Sequence, residues 1–131
     1  MKNRLRSASR RNGTADLVTC SLVTFAHKVR AVIARIGQGE RERFGHRKVF
    51  ISAAYASLVA AGHLVGALEA FKVRLMLART AGLLQLARAD LVAAMPTDAV
   101  IVSETHDRGA EYHFIIDPTA TDPGPISAEV S

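Results

Sequence analysis

Residues Leu68 to Ala89, LEAFKVRLMLARTAGLLQLARA, decide the fold, because the periodicity changes halfway along them. Leu68, Phe71, Leu75 and Ala78 recur at helical spacing. Beyond Gly82 the letters LLQLA, with Leu84 and Leu86 alternating inward, suit a short strand better than another helical turn. The spacing thus predicts a helix from about Val65 to Ala81 that runs through a glycine stop into extended chain. Glu69, Lys72, Met76 and Arg79 fall along one flank of that helix, and Arg74 points elsewhere.

Upstream, Val49 to Leu68, VFISAAYASLVAAGHLVGAL, carries no charged side chain, and Gly62 and Gly66 form a GxxxG within it. That is the length of a membrane span. Ser52, Tyr55, Ser57, His63 and the Gly62-His63 break argue instead for a strand at Val49–Ile51, a Ser52 cap, a helix over Ala53–Ala61 and a turn. No membrane partner is expected. Further back, Leu22, Phe25, Ala26, Val29, Val32, Ile33 and Ile36 make the clearest amphipathic stripe, closed by Gly37 and Gly39. The link GQGERERFGHRK reads as a polar loop carrying Arg41, Arg43, Arg47 and Lys48, with Phe44 as its inward anchor. It lacks the spacing of a phosphate-binding Walker loop.

Downstream, Ala89 to Met95 reads as one helical turn stopped by Pro96 and Thr97. Val100 to Thr105 and Glu111 to Ile116 read as two strands of a hairpin about His106–Ala110, with Arg108 at the tip and Gly109 supplying the permissive backbone. On the second strand Tyr112, Phe114 and Ile116 share a face opposite to His113.

With 131 residues, 49% of them apolar and only 5% aromatic, the chain suits one core built mainly of aliphatic side chains. Cys20 is alone, which rules out an intrachain disulfide and suits a reducing cytoplasm. Charge is unevenly spread: residues 1–50 hold 12 Lys/Arg against 3 Asp/Glu, and residues 101–131 hold 1 against 6. Three zones follow, a disordered basic arm over 1–15, a folded domain over 16–117 and a disordered acidic tail over 118–131. A basic front favours phosphate-bearing partners, and an acidic tail can compete for the same surface.

Read in order, helix, strand (VFI), helix (SAAYASLVAA), turn (GH), helix (LEAFKVRLMLARTAG), strand (LLQLA) and a hairpin ending in EYHFII resemble the winged-helix superfamily over Leu22 to Ile116. The segment FKVRLMLARTAGLLQLARADL also resembles an uncharacterised bacterial family. The resemblance implies an α+β, mainly helical fold: a three-helix winged-helix-like domain with a small antiparallel hairpin as its wing. The link between Leu83 and Glu111 is longer than a usual wing. It further implies a non-enzymatic regulatory module that binds duplex DNA; the superfamily has no motif that maps individual contacts, and the placement of charge makes Lys72, Arg74, Arg79, Arg47, Lys48 and Arg108 the candidates. The alternative is a module that binds a protein partner or a second copy of itself.

Glu104, His106, Asp107 and His113 are the one cluster with chemistry to offer, two imidazoles and carboxylates suited to zinc or iron. Hairpins often present such residues simply to water, so no metal or other cofactor is assigned. No GxSxG element or Gly-rich dinucleotide turn is present.

Overall fold

Helix α3 (Leu68–Thr80) ends as its sequence requires. Gly82 takes φ +78°, the Leu83 N–H donates to Ala78 O at 2.9 Å, and the Gly82 N–H donates to Arg79 O at 2.9 Å. That pair of bonds closes the last turn and releases the chain into extended backbone. The strand β3 that follows is only Leu86–Ala87, shorter than the five letters LLQLA. The helix itself begins at Leu68, not Val65, because the chain at Gly66 has φ +79°.

The computed structural model describes residues 16–89 and 95–120. Around α3 and β3 stand α1 (Leu22–Ile33), β1 (Arg43–Phe44), β2 (Lys48–Phe50), α2 (Ile51–Ala60), α4 (Thr97–Ser103), β4 (Thr105–Asp107), β5 (Ala110–Tyr112) and β6 (Phe114–Ile116). The protein is α+β, with four helices among the described residues, one antiparallel sheet in the order β1-β2-β6-β3 and a separate two-stranded ribbon β4-β5. No helix among the described residues is long and apolar enough to cross a membrane. The expected arm over 1–15, the tail from 121 onward and most of the helical turn at 89–95 lie outside the described residues.

The sheet sits between two clusters of buried side chains. Val49 opposite Ile115 faces α1, α2 and α3, where Phe25, Val29, Ile33, Leu58, Phe71 and Leu75 complete the larger core. Phe50 opposite Phe114 faces the other way, onto Met95, Ala99 and Val100. Consecutive apolar letters on β2 and β6 therefore mean strands buried on both faces. Most of the buried hydrophobic side chains in the core are Leu, Val, Ile and Ala, as composition suggests. Phe25, Phe50, Phe71 and Phe114 are its largest fully buried side chains, with Phe50 and Phe114 ring centroids 4.7 Å apart.

Several expectations are corrected. The loop Gly37–Lys48 contains β1, which pairs with β2 across a tight turn where Gly45 has φ +75°. Phe44 packs against Phe114 at 6.3 Å, as an anchor should. Helix α1 stops at Ile33 rather than Ile36. Ser52 does not cap α2: Phe50 occupies that position without a side-chain bond, and Ser103 Oγ from α4 accepts the Ser52 N–H at 2.9 Å. The cap is supplied from 51 residues away along the chain.

The largest correction concerns Val100–Thr105, which is mostly helix. Pro96 sits at the start, Asp98 lies in the first turn, and Ala99, Val100 and Ser103 are buried at helical spacing while Ile101 is 61% exposed. A strand would have put Val100 and Val102 on one face. Likewise EYHFII is two strands. The chain bends at His113, so that β5 belongs to the ribbon and β6 to the centre of the main sheet.

Candidate nucleic-acid interface

The fold divides the six cations that the sequence offers as candidate contacts. Lys72 is buried on the flank of α3 that the ribbon covers: its Nζ donates to Glu104 O at 2.8 Å and pairs with Glu69 Oε2 at 3.4 Å. Arg74 turns towards the start of the domain. Its guanidinium donates to Leu17 O (3.2 Å), Val18 O (2.7 Å) and Cys20 O (2.6 Å) and lies over the Phe25 ring at 5.1 Å. Both side chains spend their N–H groups on backbone carbonyls of this protein. The outward face of α3 is left to Ala70, Val73 and Leu77, the latter two 59% and 51% exposed.

Arg79, in the last turn of α3, is exposed and stacks over the Tyr112 ring of β5 at 4.7 Å. Arg108 stands at the ribbon tip. With φ 53° there and φ +84° at Gly109, the two-residue turn has the left-handed backbone at both positions that tight hairpins favour. Arg47 precedes β2 and is half-buried, its carbonyl accepting the Asp117 N–H at 2.8 Å. These three arginines line one open groove of about 1050 Å³ between the end of α3, strand β3 and the ribbon. Gln85 and Tyr112 also line it, and among the described residues Asp107 is its one acidic side chain. Lys48 lies outside it, its Nζ 5.9 Å from the centre of the Phe114 ring.

Sequence reasoning found the arginines but not the groove. Tyr112 was placed with Phe114 and Ile116 on one face, whereas it stacks with Arg79 on the ribbon. The pairing of Thr105 with Tyr112 and Asp107 with Ala110 sets Tyr112 and Asp107 on the groove side of the ribbon, leaving Glu104, His106 and Glu111 on the other.

That reverse side changes the histidine–carboxylate cluster. Glu104, His106 and Glu111 come together, their candidate ligand atoms all within 4.8 Å of one another, with His106 Nε2 and Glu104 Oε2 at 3.2 Å. His113, expected among them, is instead buried at the bend between β5 and β6. Its Nδ1 accepts the Ala89 N–H at 3.0 Å, and burial lowers its pKa against the pull of Glu104 and Glu111.

One further cation was missed altogether as a structural element. Arg43 is buried, donating to Ile33 O (2.6 Å), Ile36 O (3.0 Å), His46 O (2.6 Å) and Asp117 Oδ2 (2.9 Å). It closes the carbonyl end of α1 and ties it to the residue after β6. Burial alone would raise the Asp117 carboxyl, but the Thr119 hydroxyl and N–H, together with Arg43, hold it below the ordinary range.

Comparison with family models, with curated proteins and with solved structures returns no match to this chain.

Proposed function

We propose that the chain is a non-enzymatic winged-helix module of regulatory type that binds duplex DNA, in a cytoplasmic setting. The strand order β2-β6-β3 behind three packed helices supports the winged-helix reading, with the ribbon and α4 elaborating the wing. The single observation that carries the DNA reading is the convergence of Arg47, Arg79 and Arg108, from three separate parts of the chain, on one open groove. Arginine forks suit phosphate oxygens, and three of them in one groove suit a backbone that passes over it. The outward face of α3 offers Val73 and Leu77 rather than donors, so the proposal moves contact from that face to the helix end and the ribbon. Lys2, Arg4, Arg6, Arg10 and Arg11 add positive charge at the start of the sequence.

Fluorescence anisotropy with a labelled duplex at two salt concentrations tests this. Binding should weaken steeply with salt, and each of Arg47→Gln, Arg79→Gln and Arg108→Gln should lower the slope by about one. Affinity indifferent to salt and to all three substitutions would remove DNA from the reading.

A second reading, a protein-interaction module, is favoured by one specific observation, the exposed Val73 and Leu77 on an otherwise well-packed helix. On this reading nucleic acid plays no part, and Val73→Ser with Leu77→Ser would abolish a dimer or a partner complex seen by light scattering whether or not duplex is present.

A further inference from the structure

The reverse side of the ribbon carries an arrangement independent of the groove. His106 on β4 lies directly opposite Glu111 on β5, and Glu104, two residues before His106, projects from the same face. One imidazole nitrogen and two carboxylates are thereby gathered with all three ligand atoms within 4.8 Å of one another. Among the described residues no Lys or Arg side chain pairs with either carboxylate: Lys72 donates to the Glu104 carbonyl and pairs with Glu69 instead. Glu111 stands opposite His106 and diagonal to Glu104, so one imidazole is shared between two carboxylates on the same face of a ribbon three residues long on each strand.

We propose that Glu104, His106 and Glu111 form a site for a divalent first-row transition ion, zinc being the probe of choice. Ligands about 2.1 Å from a tetrahedral zinc stand about 3.4 Å apart, and His106 and Glu104 are already at 3.2 Å. The single nitrogen and two oxygens suit zinc, iron or manganese and are too few in oxygen for calcium. A cavity of about 220 Å³ beside the cluster, lined by Glu104 and His106 and on its far side by the Lys72–Glu69 pair, leaves room for water as a fourth ligand. Binding would hold β4 to β5 and fix both to the end of α4 through Glu104. The ion is then a staple for a ribbon too short to be stable by its own backbone bonds. The site does not rest on the DNA reading, and its test needs no nucleic acid.

The experiment is calorimetric titration of zinc chloride into the chelator-treated, untagged full chain, with thermal unfolding in parallel. The expected result is saturable one-to-one binding that raises the unfolding temperature. Both effects should weaken about tenfold or more in His106→Ala and in Glu111→Gln, and should be unchanged in His46→Ala, whose exposed imidazole lies outside the cluster. His106 and Glu111 lie on the surface ribbon, so circular dichroism of each variant should match the parent without metal. Cobalt added in place of zinc should give a visible absorption band in the parent and none in His106→Ala. Absence of saturable binding, or binding undiminished in both ribbon variants, overturns the site.

Discussion

Three cations of this protein, Arg43, Lys72 and Arg74, turn inward onto backbone carbonyls, and three others, Arg47, Arg79 and Arg108, turn towards the groove beside the ribbon. Arg43, Lys72 and Arg74 close carbonyls at the end of α1, the end of α4 and the segment before α1. Arg47, Arg79 and Arg108 end in a groove that has Asp107 as its one acidic neighbour among the described residues. Lys72 and Arg79 even share a flank of α3, yet one is sealed beneath Glu104 while the other sits over an aromatic ring at the rim. The difference shows that a count of Lys and Arg on a helix measures how much charge it carries, and the neighbouring backbone decides how much of it a partner can reach.

The contrast is sharpest at Arg43. Arg43→Met strips Asp117 of its buried partner and should lower unfolding free energy by about 3–5 kcal/mol in urea denaturation, whereas pairing it with Asp117→Leu should restore much of the loss. Arg74→Met and Lys72→Met each orphan one or more carbonyls, and each should cost about 1–3 kcal/mol. If either instead abolished duplex binding at unchanged stability, the division between inward and outward cations would fail. Gly82→Ala meets open space but a φ of +78°, so it should cost about 1 kcal/mol through backbone strain alone.

Acid should erode the inward set first. Asp117 is held below its ordinary pKa in the folded state, so below about pH 4 the unfolded chain takes up a proton that the native chain resists. Its contribution is complete above that pH and declines as pH falls through the folded value. Thr119→Val, which removes one hydrogen bond to the carboxylate, should flatten this decline in a pH series of urea midpoints. At the outward end of the scale, Arg79→Gln and Arg108→Gln should change stability by less than about 0.5 kcal/mol while still weakening duplex binding.

Much of the helical half was legible because each helix there buries one stripe against the others, and periodicity encodes such a stripe directly. Gly82 and the Gly62-His63 turn were readable for the same local reason. The segment 97–116 was not. Val100, Ile101 and Val102 have strand-forming side chains, but Ser103 must aim its hydroxyl at Ser52, and only a helix delivers Ala99, Val100 and Ser103 to one side. The Pro96-Thr97-Asp98 start was the signal that favoured it. At His113 an apparently continuous strand bends because its N–H and carbonyl serve Ala87 and Ile51 while Nδ1 serves Ala89. None of those partners is near in sequence. Glu111 joined His106 for a related reason: cross-strand register, which depends on the turn at Arg108-Gly109 having two residues, selects neighbours that linear spacing does not.

Strand β6 is the last described strand of the chain and also lies in the middle of the main sheet, between β2 and β3. Emerging from a ribosome, the protein would therefore hold two strands with unmatched edges and both apolar clusters half open until Phe114 to Ile116 arrived. Folding must then conclude in one stroke rather than accrete, and a product cut short before Phe114 would be an aggregation hazard instead of a smaller working domain.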